Sequence, residues 1–159
     1  AIPIRLENSS RARFYLNISN FKFQTYLDSF TNEKMCKSLS RLRVSSHRLQ
    51  IEAGRWSRPI PMPINERLCS VCNILEDEFH FVLECRIYKD LRSKYIPVKY
   101  WRRPSMSKLI ELLDTQNHEI IRNLGTYIWN AFKKRSEIMY DNVLTQNENV
   151  TVFNSAYTV

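Results

Sequence analysis

CSVCNILEDEFHFVLEC, residues 69–85, is the stretch on which the architecture of this chain turns. Cys69 and Cys72, with two residues between them, make a tight knuckle that presents both sulfurs to one cation. His80 follows after seven residues and Cys85 after four more. Three thiolates and an imidazole are a usual tetrahedral set for structural zinc, with Zn–S near ~2.3 Å and Zn–N near ~2.0 Å. Such a shell is closed and leaves no position for water. The expectation is one structural Zn2+ ion held by Cys69, Cys72, His80 and Cys85, with no catalysis at the metal.

The last spacing constrains the backbone. On an ideal helix, residues five apart lie about 140° round the axis, so His80 and Cys85 cannot face one ion from an unbroken helix. The helix suggested by residues 76–83 must therefore end or unwind near Glu84 and deliver Cys85 from its edge. Glu84 has the easier i+4 spacing, but a thiolate is the softer and better zinc donor. A disulfide between Cys69 and Cys72 is the competing use of the pair, and no βαβ pattern surrounds it. Cys36 lies beside an apolar stripe and reads as a core thiol. His47 and His118 have no partner at ligand spacing.

Charge is arranged about the motif. Residues 68–85 carry Glu76, Asp77, Glu78 and Glu84 and no basic residue. Residues 34–67 hold eight basic residues against two acidic, and residues 86–103 hold seven against one, so each flank is +6. The whole chain is +8 with a pI near 9.5, a balance that favours a polyanionic partner such as nucleic acid. A helix starting at Thr31 and continuing far enough would align Lys34, Lys37, Arg41 and Arg48 on one face. Arg43, His47, Arg55, Trp56 and Arg58 follow closely, and Arg92 lies in the downstream flank. Guanidinium forks and an aromatic face suit backbone phosphates and stacking on unpaired bases. The acidic motif between them is expected to act as a hinge that sets the angle of two basic arms.

Elsewhere the periodicity is helical, so the fold class is mainly α, a small helical domain organised around a CCHC zinc knuckle. Residues 1–30 read as a helical lead-in, with segments at 11–18 and 21–30. Residues 31–100 read as basic helices plus the zinc module, starting with a Thr31-capped helix whose stripe is Met35, Leu39 and Leu42. Ser45 or Ser46 is expected to start a short helix that Gly54 stops. Pro59, Pro61 and Pro63 force an extended run. Pro97 and Pro104 bracket a connector holding Tyr100 and Trp101. Residues 101–145 read as a helical pair, one capped by Ser105 and one over residues 117–140. The latter buries Ile121, Leu124, Ile128, Ala131 and Phe132. Residues 146–159 read as an irregular tail in which 150–153 pair as an edge strand.

Two glycines in 159 residues leave no Gly-rich phosphate loop, and no apolar run reaches the length of a membrane span. No secretory signal precedes the first element, which implies an intracellular protein, nuclear or cytoplasmic. A start at Ala1 suggests a piece of a larger polypeptide.

Two runs carry a family resemblance. Leu42-Arg43-Val44-Ser45-Ser46-His47-Arg48-Leu49 with Ile51-Glu52-Ala53-Gly54-Arg55 resembles the segment before the zinc site of certain non-LTR (LINE-like) retrotransposon reverse transcriptases. Glu66-Arg67-Leu68-Cys69-x2-Cys72 and Glu76-Asp77-Glu78-Phe79-His80-Phe81-x3-Cys85, followed by Tyr88 and Arg92, is similar to that zinc-binding region itself. The resemblance covers about residues 35–95 and implies a C-terminal, non-catalytic module of a polymerase that engages template RNA or target DNA. The paired-aspartate motif of the polymerase is absent, as is an endonuclease carboxylate cluster, so this chain alone is expected to be no enzyme. The alternative is a helical protein-interaction or scaffolding domain with a structural zinc, anchored by Tyr100, Trp101 or Trp129.

Overall fold

The computed structural model describes residues 10–18 and 24–155, with side chains for 14–18 and 24–143. These residues are mainly helical and contain no strand; one antiparallel bridge joins Leu68 and Leu75. Helix α1 is Ser10–Ile18 and, after a 3-10 turn at Thr25–Ser29, α2 is Glu33–Arg43. Helix α3, Gln50–Ala53, runs into a 3-10 turn at Gly54–Trp56, and Ile64–Glu66 forms another. A π-helical turn spans His80–Glu84. A 3-10 turn at Arg86–Tyr88 leads into α4, Lys89–Tyr95, followed by α5 (Val98–Trp101), α6 (Met106–Leu113) and α7 (His118–Ser155). The chain forms two compact units, residues 1–129 and 130–159.

Helix α2 starts one residue later than Thr31 suggested. Asn32 is its cap, with Oδ1 accepting from the Lys34 amide at 2.9 Å. It stops sharply at Arg43, because Ser46 N–H bonds to Arg41 O at 2.8 Å and Ser45 N–H to Leu42 O at 3.2 Å. That pair of bonds is the Schellman arrangement, and it needs a left-handed residue where Ser45 sits at φ 49°. A residue with a side chain costs about 1–2 kcal/mol there. The stop removes Arg48 from the helix, so the expected line of four cations along one helical face does not form. Gly54 is the C-cap at which α3 ends, as expected, but not through a left-handed turn. Its φ of −64° is helical, and the chain tightens into the 3-10 turn that follows.

The first unit is built round side chains with almost no exposed surface. Leu39 and Leu42 come from α2, Phe81, Val82 and Leu83 from the π turn, Leu109 and Leu112 from α6, and Ile121, Leu124, Tyr127 and Ile128 from α7. Burying each is worth roughly 1.5–3 kcal/mol. Helix α1 packs on α2 and α6, while α4 and α5 both pack on the π turn. Phe81 meets Tyr88 edge-on, ring centroids 5.0 Å apart. Ser105 caps α6, and Asn117 caps α7 by accepting from the Glu119 and Ile120 amides. The expected connector between Pro97 and Pro104 contains α5, whose Tyr100 is buried. Residues 21–23 of the expected 21–30 segment lie outside the described residues.

In the second unit, residues 130–155 continue α7. The expected irregular tail and edge strand at 150–153 are therefore helical as far as Ser155. No glycine or proline follows Gly125, so nothing in the sequence interrupts the hydrogen-bond ladder. Among the described residues no helix is long and apolar enough to cross a membrane.

Two buried arginines tie the first unit together through backbone carbonyls. Arg43 reaches the carbonyls of Leu113 and Ile18, at the ends of α6 and α1, and the Gln24 side chain, with Tyr26 under its guanidinium. Arg67 donates to Met62 O and Ile51 O, both at 2.9 Å. Its stem passes so close to Gly54 that a Cβ there would lie 2.7 Å from Arg67 Cγ. Gly54→Ala is therefore expected to destabilise the fold by about 1–3 kcal/mol, against the gain normally seen for alanine in a helical conformation. Urea unfolding of the two proteins measures the sign.

Candidate metal centre and the basic surface around it

The Cys69–Asn73 segment folds into a tight turn for local reasons. Asn73 N–H returns to Cys69 O at 2.9 Å, Cys69 N–H bonds to Ile74 O at 2.8 Å, and Asn73 takes the left-handed φ of 57° that asparagine tolerates. Both cysteines are thereby presented on one side. Cys85 Sγ lies 4.0 Å from Cys69 Sγ and 3.8 Å from Cys72 Sγ, and every thiol is free. A disulfide requires about 2.05 Å, so the cluster is not one. One ligand atom each from Cys69, Cys72, His80 and Cys85 falls within 4.8 Å of all the others, and the group can hold a metal ion.

His80 carries the clearest sign of it. The ring is buried, yet among the described residues neither nitrogen has a hydrogen-bond partner. Glu84 Oε2 stands 3.7 Å from Nδ1, beyond hydrogen-bond range. Leaving such a group unsatisfied costs about 1–3 kcal/mol, and a cation among the donors removes that cost. Burial also pulls the His80 pKa below its ordinary value, with Glu84 and Asp77 opposing, so the ring is neutral and able to ligate. Burial, reinforced by Cys69 and Cys72, pushes the Cys85 thiol strongly up. A bound cation reverses that, because a coordinating thiol is deprotonated.

The awkward His80–Cys85 spacing is solved by widening the helix before ending it. Asp77 Oδ1 caps the segment by accepting from the His80 amide at 2.8 Å, and residues 78 and 79 are α-helical. The Cys85 amide then bonds to His80 O, five residues back, at 2.7 Å. An i→i+5 bond sets residue i+5 over residue i, where an α-helix would have turned it away. The helix ends at Glu84, as the spacing requires, and Cys85 caps it at ψ 124°.

Such an end leaves carbonyls without partners. Here Tyr127 Oη donates to Phe81 O at 2.7 Å. Arg92 donates through Nε to Val82 O and through Nη2 to Cys85 O, both at 2.8 Å. Arg92 is buried and holds the backbone of one candidate ligand.

The acids are engaged as well. Glu78 Oε1 accepts from Ser45 Oγ at 2.8 Å and meets His47 Nε2 at 2.8 Å. Glu76 Oε2 accepts from the Gln50 amide at 2.7 Å, and Glu76 O from the Ile51 amide at 3.0 Å. Burial opposes ionisation of Glu78, but His47 and Ser45 outweigh it and hold the carboxyl below its ordinary range. The acidic segment is thus a docking site for residues 45–51. Spacing reveals none of this, since Ser45 and Glu78 lie 33 residues apart.

The expected nucleic-acid residues divide into two groups. Lys34, Lys37, Arg41, Arg48, Trp56 and Arg58 are exposed, and Arg55 is half-buried and paired with Glu52 at 3.1 Å. Arg43, His47 and Arg92 do not belong with them. The His47 side chain is 1% exposed, Arg43 is 1% and Arg92 3%, and each is engaged by internal partners, so none is available to a polymer outside. Of the three anchors of the scaffolding alternative, Tyr100 is buried and Trp101 Nε1 donates to Ile96 O, while Trp129 is 37% exposed. Comparison of the chain with protein-family models, curated proteins and solved structures finds no match.

Replacing Arg92 by leucine leaves Val82 O and Cys85 O unpaired in a buried site and is expected to cost about 2–4 kcal/mol. Arg92→Lys keeps the charge but loses the fork, and should fall between that and wild type in urea unfolding.

Proposed function

We propose that the metal is one structural zinc ion and that the chain is a non-catalytic, nucleic-acid-binding module of a retroelement-type reverse transcriptase. Zinc is favoured by the donor set of three thiols and one imidazole. It is favoured also by the sulfur separations of 3.8 and 4.0 Å. A tetrahedron with Zn–S of ~2.3 Å has edges of about 3.8 Å. The observation that carries the reading is the buried His80 ring, with two unpartnered nitrogens beside three free thiols.

Nucleic acid is supported by what remains exposed once the buried cations are set aside. Lys34, Lys37, Arg41, Arg48 and Arg58 lie at the surface of residues 31–60, and Trp56 is 55% exposed among them. Arginines and an aromatic ring together suit phosphates and stacked bases. The resemblance of residues 42–55 and 66–92 to the zinc region of LINE-like reverse transcriptases points the same way. The role it suggests is positioning template RNA or target DNA within a larger polypeptide.

Two measurements test this. Purified protein should contain one zinc per chain, and Cys72→Ser or chelation should remove it and lower the melting temperature, because binding free energy is partly folding free energy. An unchanged melting temperature after chelation would sink the structural assignment. Binding to single-stranded oligonucleotides should weaken with salt, with a log–log slope of about −0.7 per phosphate neutralised. The double variant Arg41→Gln/Arg58→Gln should flatten it by about 1.4; a wild-type affinity indifferent to salt would refute the nucleic-acid role.

A further inference from the structure

A second cationic feature is built from residues 99–108, outside residues 31–60 in the sequence. Between α5 and α6 the chain turns at residues 102–105, and Lys99, Arg102, Arg103 and Lys108 line one open pocket of about 410 Å³. Two of the four are held in place by the fold. Lys108 Nζ donates to Arg103 O at 2.7 Å, which fixes the ammonium against the turn. Lys99 lies over the Tyr100 ring at 4.5 Å and is paired with Glu111 at 2.9 Å. The Tyr100 ring under Lys99 is itself buried. Arg102 and Arg103 are exposed. Four cations line the pocket, and Glu111 pairs with one of them, Lys99.

Like charges that line one pocket repel one another, and an anion bound among them relieves that repulsion. Among the described residues the lining is Lys99, Arg102, Arg103 and Lys108, which favours an anion over an apolar ligand. Planar guanidiniums provide the forked donors that match phosphate oxygens, while a lysine held by a carbonyl supplies a fixed point charge.

We propose that this pocket is a second phosphate-binding site, which grips a backbone phosphate of the same nucleic acid that the surface of residues 31–60 engages. The inference rests on the nucleic-acid reading above and adds to it the site where a second stretch of strand is held. It assigns Arg102 and Arg103 as the forked contacts, with Lys99 and Lys108 as supporting charge. Residues 99–108 lie outside the segment that carries the family resemblance, so the assignment depends on the pocket alone.

The test compares wild type, Arg102→Gln/Arg103→Gln and Arg41→Gln/Arg58→Gln in binding to single-stranded oligonucleotides of increasing length across a salt series. Neither pair touches the candidate metal ligands, and a melting curve with zinc bound checks that each variant is folded. On short oligonucleotides that fill one site, the 102/103 variant should bind almost as tightly as wild type. On longer ones its affinity should fall about tenfold or more, with the salt slope flattened by about 0.7 for each phosphate it no longer neutralises. If wild type binds and the 102/103 variant keeps both affinity and slope at every length, this site is refuted while the nucleic-acid role stands. If wild type binds no oligonucleotide, both fall. A two-dimensional NMR titration with inorganic phosphate gives an independent reading. Amide shifts confined to residues 99–108, and abolished in the 102/103 variant, support the site; their absence in wild type counts against it.

Discussion

A hydrogen bond of 2.7 Å from the Cys85 amide to the carbonyl of His80 is the contact on which the centre of this protein depends. It spans five residues where an α-helix spans four, and so brings the fourth candidate ligand back over the third. An α-helical continuation would carry the Cys85 sulfur about 140° away. A π turn is a poor structure on its own and survives here because its surroundings satisfy it. Tyr127 and Arg92 complete the carbonyls that the widened turn leaves open, and Phe81, Val82 and Leu83 fill the core from the same five residues. Ligand geometry and core packing are therefore one problem with one solution, and a change to either disturbs both.

Arg43, Arg67 and Arg92 explain part of an otherwise misleading charge balance. Each is buried, and each bonds to two main-chain carbonyls: Ile18 and Leu113, Ile51 and Met62, Val82 and Cys85. Guanidinium suits this use because it presents several donors in a fixed plane and stays charged under desolvation that would neutralise an ammonium. Burial draws the Arg43 pKa below its usual value, with the Tyr26 and Tyr15 side chains opposing. The described residues of 10–113 form short helices and turns with many helix ends, and each end has carbonyls to satisfy. Three cations counted from composition toward an external partner are in fact internal fasteners. The exposed cations are therefore fewer than composition suggests; Lys34, Lys37, Arg41, Arg48, Arg58, Arg102 and Arg103 are among them.

The acidic segment is drawn inward in the same way. Four acids between two basic flanks read as a hinge, and Glu76 and Glu78 within it are 5% and 7% exposed. They receive the Gln50 amide, the Ser45 hydroxyl and the His47 ring, so the segment upstream is fastened to the candidate metal centre. Ser45 reaches Glu78 because it holds the left-handed position that ends α2. A local backbone demand, usually met by glycine, is thereby coupled to a contact 33 residues away.

What the sequence determined by itself was local. The four-residue donor set, the helix end before Cys85, the cap at Ser105 and most of the buried stripe of α7 follow from spacing and side-chain chemistry over a few residues. Helix α2 and its stripe were legible to within one residue of the cap. What only the tertiary structure decided was where each charge goes. Spacing says that Arg43, His47 and Arg92 are basic, but their burial depends on carbonyls and carboxylates 7 to 70 residues distant. The same holds for the means by which the helix end before Cys85 is achieved. A π turn costs hydrogen-bond geometry locally and is offset only by Tyr127 and Arg92, which no window around residue 80 contains together.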